Sequence, residues 1–365
     1  MTAPPSNQSD TASTAERTEA APGGRPRAAR WLGRVARGAA IAYLLALLAV
    51  VAALRLIGER WWVTTIALYL PRIGFALPLP FIVAALLAAR APGAWLLTQL
   101  AAAAVVVGPL MGLHLGGPRA PTPGAPAFRI FTANIGLGYY GLDEVLERIH
   151  TTAPDVVVLE ETEDDNVDTL RAGLAGYVFW NQEQFTIASR FPIENASVER
   201  GDFATCRLMT PGGPVRLFAV HPVSPHSAFD RLRGEGLRGE IVTGRILKSR
   251  GKAKTESNAT FRLDQIEAFA DAAAAAREPV LIAGDTNLPD LSWALAHWLG
   301  GYRDAFAEAG RGFGYTYPAQ RVVWMRIDRV LVGPGLRVLA AATAPPRVSQ
   351  HLPLVVDLEV LPGAR

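Results

Sequence analysis

Hydrophobic and polar positions are patterned on two different scales along this chain. Up to about residue 115 the apolar residues form long runs, at 38–54, 73–89 and 94–113. Each is close to the roughly 20 residues that a helix needs to cross a bilayer. From Phe128 onward the runs are short and rich in β-branched residues, at 128–134, 155–159, 215–220, 280–283 and 327–332. Such runs bounded by turn residues predict strands. Between them, 142–150 and the Ala-rich 264–276, with Ile266 and Phe269 at helical spacing, predict helices. Strands interleaved with helices predict an α/β domain whose sheets are covered by helices.

The pattern divides the chain into four parts. Residues 1–37 are expected to be a disordered basic tail, poor in large apolar residues at first and then carrying Arg25, Arg27, Arg30, Arg34 and Arg37. Residues 38–115 are expected to form a transmembrane region of three helices, 116–126 a Pro/Gly-rich linker, and 127–361 the folded domain. The first apolar run is long for a signal peptide and lacks a small-residue cleavage site after it. Its arginine cluster belongs in the cytoplasm by the positive-inside rule, so three crossings put the domain outside. Two crossings would leave it inside, and Pro78 and Pro80 make the second run the deciding one. Trp61, Trp62 and Tyr69 between the first two runs suit the headgroup level.

Composition adds little to this. A mean hydropathy of +0.18 agrees with an embedded part. A net charge of +3 is too small to argue for nucleic acid. The single cysteine, Cys206, excludes an internal disulfide and a cysteine zinc site. Residues 222–260 form a basic insertion in which Arg231, Arg233, Arg238, Arg245, Lys248 and Arg250 interleave with Leu232, Leu237 and Ile241. The plain reading is a solvated surface element, and the functional one a grip on anionic lipid or pyrophosphate.

The chemistry sits at or near the predicted strands. Strand ends carry Asn134, Glu161, His221 and the Gly284-Asp285-Thr286-Asn287 turn, while Asp328 lies within the 327–332 run and His351 within 348–354. In that turn the glycine is expected to let the chain bend, with Asp285 and Asn287 on one side of the backbone. Each residue alone has an ordinary explanation as a turn or surface group. Oxygen ligands with few histidines suit a hard cation such as magnesium or manganese.

In their order and spacing over 128–360, these residues resemble the endonuclease/exonuclease/phosphatase superfamily. The resemblance implies a four-layered α/β sandwich of two mixed sheets flanked by helices, and a Mg2+-dependent hydrolase of phosphoester or phosphoanhydride bonds, with Mn2+ as the alternative ion. It implies Asn134 and Glu161 at the metal, His221 at the scissile phosphate and Asp285 at the attacking water. Asn287 is implied at the transition state, and Asp328 as the partner of His351. Which of Asp285 and His351 is the general base stays open. Glu160 stands where the family has glutamine, and Gln350 where it has an acid, which removes a charge beside His351.

Residues 312–318 with Arg326-Ile327-Asp328 resemble the membrane-anchored bacterial members associated with teicoplanin resistance. That resemblance implies a multi-pass protein of the cell membrane with its catalytic domain periplasmic or extracellular. Its implied substrate is a phospholipid or a prenyl pyrophosphate such as undecaprenyl pyrophosphate. The alternatives are a membrane-tethered nuclease, a sphingomyelinase-like phospholipase and a non-catalytic membrane scaffold.

Overall fold

In the computed structural model, residues 27–200, 202–225, 250–319 and 322–361 are described. The start of the expected basic tail and positions 226–249 of the expected insertion lie outside the described residues. The apolar part folds as α1 (Arg27–Leu56), α2 (Trp62–Leu68), α3 (Pro78–Ala88) and α4 (Ala94–Val105). Among the described residues, one helix, Arg30–Leu56, is long and apolar enough to cross a membrane. Trp62–Leu68 with Arg72–Ala88 passes only as one element bent by 91°, and Ala94–Leu110 is shorter. The three full-length spans expected from the apolar runs thus reduce to one, or to two if the bent pair counts. The prolines account for part of this. Pro78 opens α3, where its missing N–H costs nothing, and Pro109 lies in a π-helical turn, Val106–Leu110.

Two six-stranded sheets make up the rest. The first runs β13 (Leu336–Thr343), β14 (Leu354–Val360), β2 (Ala127–Asn134), β3 (Val156–Glu160), β5 (Phe185–Ser189), β4 (Val178–Gln182). The second runs β10 (Arg303–Asp304), β12 (Asp328–Val332), β9 (Val280–Asp285), β8 (Gly213–Val220), β7 (Phe203–Thr210), β6 (Ile193–Glu199). Both are mixed: β2 pairs in parallel with β3, and β8 with β9, among antiparallel neighbours. A short ribbon, β1 (His114–Leu115) on β11 (Arg311–Gly312), joins the apolar part to the domain.

The period-2 alternation of each strand sorts its side chains between two cores. Phe128, Ile130, Val156, Val158, Leu281 and Ala283 point between the sheets. Phe131, Ala133, Val157 and Leu159 point outward, where α5 (Leu142–Thr152) and α6 (Asp164–Gly173) cover them. Val280 and Ile282 face α7 (Arg250–Ala274) and α8 (Trp293–His297). Helix, sheet, sheet and helix are the four layers expected. The 116–126 segment, expected as a linker, is tied to the sheet: the Arg119 N–H donates to Leu339 O at 2.7 Å, and Thr122 donates to the Glu359 carboxylate through N and Oγ1, both at 2.8 Å.

Candidate active site

Strand directions bring the polar ends together at one edge of the facing sheets. β2 ends at Asn134, β3 at Glu160 just before Glu161, β8 just before His221 and β9 at Asp285. β12 runs the other way and starts at Asp328, directly opposite Asp285 in the register. His351 lies in the turn leading into β14. Gly284 belongs to β9 and not to a turn after it. A Cβ there would sit 2.2 Å from Val220 O and 2.8 Å from Glu160 Oε1. The glycine is needed for close approach of backbone and acid, which corrects the role expected for it.

Asp285 Oδ2 is the centre of the cluster. Asn134 Nδ2 lies 3.4 Å from it, His221 Nε2 3.7 Å and His351 Nε2 3.8 Å. Asn134 Nδ2 also donates to Glu161 Oε1 at 2.9 Å, while its own Oδ1 accepts from the Gly136 N–H at 2.9 Å. Asn134 therefore aims Glu161 with its amide N–H2 while its Oδ1 caps the backbone at Gly136. His221 Nδ1 donates to Gln184 Oε1 at 2.6 Å, which leaves Nε2 to face Asn134 at 3.3 Å and Glu161 Oε1 at 3.5 Å. His351 Nδ1 donates to Asp328 Oδ2 at 2.9 Å. Asn287 does not continue the strand: its φ is +50°, its N–H donates to Asp285 Oδ1 and its Nδ2 to Pro222 O, each at 2.9 Å. Glu161, at φ +54°, is also left-handed. Such a conformation costs a residue with a side chain about 1–2 kcal/mol and persists only where surrounding bonds hold it.

Burial of like charges sets the electrostatics. Burial, and then the neighbouring Asp328, raise the Asp285 carboxyl above its ordinary range, with His351 and His221 pulling the other way. Burial raises Glu160 well above the carboxylate range, and Asp328 and Asp285 add to it, which favours its protonated form, close in shape to glutamine. For His351, burial lowers the pKa, but Asp328 and Asp285 outweigh it and carry the ring up to about 9.

The residues fit a divalent cation. Glu160 Oε2 and Asp328 Oδ1 are buried without a hydrogen-bond partner. Asp285, Asp328 and His351 offer ligand atoms within 4.8 Å of one another. Asp328 Oδ2 is taken by His351 while Oδ1 stays free, so Asp285 and Asp328 offer carboxylate oxygens to a common ion, and Glu161, whose side chain is 31% exposed and bonded to the same Asn134 amide that faces Asp285, borders them on the open side. Pattern reading missed Gln184, which lies in the tight turn between β4 and β5. It also missed Ser349, whose Oγ donates to Asn134 O and accepts from the His351 N–H at 3.0 Å. Gln350 has bonds of its own, Ala319 N–H to Gln350 O at 2.6 Å among them.

Oxygen ligands around one buried aspartate, with an aspartate-held imidazole beside it, are the equipment of hydrolysis at phosphorus. The family model agrees on that class. The model of the "Endonuclease/Exonuclease/phosphatase family" matches residues 131–351, more than half of the chain, and the chain belongs to that family. Its members are divalent-metal-dependent hydrolases of phosphoester bonds. No curated protein matches. Similar solved structures include an endonuclease/exonuclease/phosphatase from Beutenbergia cavernae DSM 12333, 21% identical over 66% of this chain and 72% of that one, at a TM-score of 0.47. A D. rerio TDP2 humanized by 14 mutations is 18% identical over 64% and 98%, at 0.48. An AP endonuclease from Archaeoglobus fulgidus is 18% identical over 63% and 98%, at 0.44.

Two outcomes follow from the electrostatics. The folded-state pKa of Glu160 is raised, so the folded protein binds its proton more tightly than the unfolded chain, and stability falls as pH rises past the ordinary value of about 4.3. Glu160→Gln should remove that loss: melting at pH 7.5 should rise, its pH dependence should flatten, and activity should stay within about threefold, since one neutral hydrogen-bonding group replaces another. A lower melting point would show that Glu160 is ionised. Asp328→Asn should release His351, whose ring, followed by NMR, should titrate well below 9, and should slow turnover by about 10²-fold. An unchanged ring pKa and rate in the folded variant would remove Asp328 from the site.

Proposed function

We propose that the protein is a membrane-anchored, magnesium-dependent phosphoesterase acting on a lipid-borne phosphoester or pyrophosphate, with undecaprenyl pyrophosphate as the leading candidate. The observation that carries the lipid reading is a hydrogen bond. Tyr69 of the apolar part donates through its hydroxyl to Asn287 O at 2.6 Å, joining the bent helix pair to the loop that bears Asp285 and Asn287. Leu70 and Ile73, which follow Tyr69 in the chain, are 54% and 59% exposed. An apolar surface beside the reactive groups suits a substrate whose tail stays in the bilayer. Likeness of 312–318 and 326–328 to the teicoplanin-resistance-associated members supports the same reading.

When bound, a divalent cation neutralises the charge that develops on the phosphoryl oxygens. Glu161 and Asp285 would hold it, with Asn134 fixing the angle of Glu161. Asp285, buried and beside both histidines, orients the attacking water and accepts its proton. His351, cationic at neutral pH through Asp328, binds a phosphate oxygen or protonates the leaving group. His221, its Nδ1 proton given to Gln184, presents Nε2 to the same space, and Asn287 braces the reacting phosphate.

The anchor is α1, with Arg27, Arg30, Arg34 and Arg37 at its cytoplasmic end and the catalytic domain outside. An alkaline-phosphatase fusion after Arg129 should be active, and an inactive fusion with an active cytoplasmic reporter at that point would reverse the orientation. Purified protein should release phosphate in a magnesium-dependent way from prenyl pyrophosphates, more slowly from phospholipids and not from DNA. DNA cleavage with prenyl pyrophosphates untouched would favour the nuclease reading, and no hydrolysis of any of the three would favour the scaffold.

A further inference from the structure

We infer that the apolar part is itself a component of the active site, and that Tyr69, with Arg72 and Glu59, is a positioning residue for the loop that carries Asn287. The segment 286–294 leaves β9 with two left-handed residues, Asn287 and Leu291, at φ +50° and +70°, and local bonds to Asp285, Thr286 and Pro289 hold only part of its backbone. Three of its backbone carbonyls are capped from outside. Asn287 O accepts from Tyr69 Oη at 2.6 Å, Leu288 O from Arg329 Nη2 at 3.0 Å, and Asp290 O from Arg72 Nη2 at 2.6 Å. Two of these three donors come from the bent helix pair, 218 residues away along the chain. Farther along, Glu59 Oε2 accepts from the N–H groups of Trp293 at 3.1 Å and Ala294 at 3.4 Å. Leu291 packs into the apolar cluster of Leu47, Leu54, Leu68 and Leu110.

The fit is close on both sides. A Cβ on Gly58 would sit 2.6 Å from Trp293 Cβ, and one on Gly112 2.6 Å from Asp290 Oδ2. Arg72 also donates to Leu110 O at 2.8 Å, and Arg262 lies over the Tyr69 ring at 5.6 Å, so both donors are held in place. With its N–H on Asp285, its carbonyl on Tyr69 and its Nδ2 on Pro222, Asn287 is fixed at three points, and Tyr69 supplies the one that lies outside the catalytic domain. Removing that bond frees the left-handed residue to relax toward an ordinary conformation, which moves its side chain relative to Asp285. Groups that orient catalytic residues in this way typically matter 10- to 100-fold.

The inference rests on the reading of Asn287 as a catalytic group, and the full-length protein in detergent micelles can separate the two. Magnesium-dependent hydrolysis of bis(p-nitrophenyl) phosphate, a soluble probe that needs no bilayer, is measured for Tyr69→Phe, Arg72→Lys, Asn287→Ala and a control, Tyr43→Phe. Tyr43 lies in the same apolar part, and its hydroxyl donates to Phe75 O, away from the loop. Tyr69→Phe is expected to lower kcat by about tenfold with KM within about twofold, Arg72→Lys to do the same, and Tyr43→Phe to match wild type. Wild-type kcat in Tyr69→Phe and Arg72→Lys, with Asn287→Ala inactive, would overturn the positioning role and leave the catalytic reading intact. Wild-type kcat in Asn287→Ala would overturn the catalytic reading first. An equal loss in Tyr43→Phe would show a general softening of the apolar part and would also overturn the positioning role. Should Tyr69→Phe fail to fold, Arg72→Lys against Tyr43→Phe decides by the same criterion.

Discussion

The site exists because the fold forces carboxylates together out of water. Glu160, Asp285 and Asp328 are buried within a single cluster, at the facing ends of β3, β9 and β12. Buried like charges cannot all remain ionised without compensation, and the molecule answers in several ways. Glu160 is pushed toward its protonated form, His351 takes a proton and holds it against Asp328, and Asp285 and Asp328 with His351 form a group that could hold a cation, with the more open Glu161 nearby. The same desolvation that makes the cluster costly gives each of its charges a strong effect on a phosphoryl group brought beside it.

Behind this cluster stands a second buried network that is balanced within itself. Arg326 and Arg329 bind Asp290 and Asp304 in a ring of ion pairs, with Arg326 donating to Asp304 at 2.6 Å and to Asp290 at 2.8 Å. Burial alone would raise both aspartates, yet the two guanidiniums hold them below the ordinary range. Asp290 is also the residue whose carbonyl receives Arg72, so the network links β12 to the apolar part through the loop after β9. Apolar region, loop and catalytic cluster form one continuous hydrogen-bonded unit.

Much of this was legible in the sequence. The strands ending in Asn134, Glu161, His221 and Asp285 announce themselves as short β-branched runs, and a run that ends in a polar group at a sheet edge gives that group no apolar place to go. Contacts that cross the chain left no such signal. Tyr69 reads as a residue of the membrane surface because an aromatic between apolar runs suits headgroups, but it turns inward to Asn287, as the nearby Arg72 does to Asp290. Gln184 sits in a two-strand turn whose sequence is ordinary, and only the neighbouring strand explains why it meets His221. Hydropathy is blind to bends for a related reason: it measures apolar length, and neither the 91° bend before α3 nor the break at Val106–Leu110 changes that length.

The central claim is that the buried carboxylates form a cation site around Glu161 and Asp285, and melting of the full-length protein in Mg2+ at constant ionic strength tests it without reference to any substrate. Saturable stabilisation is predicted for wild type, since an ion that binds only the folded state adds about 2.7 kcal/mol at a hundred times its Kd. Glu161→Gln should shift the midpoint of that stabilisation to higher magnesium. No stabilisation of wild type, or the same midpoint in Glu161→Gln, would contradict the account.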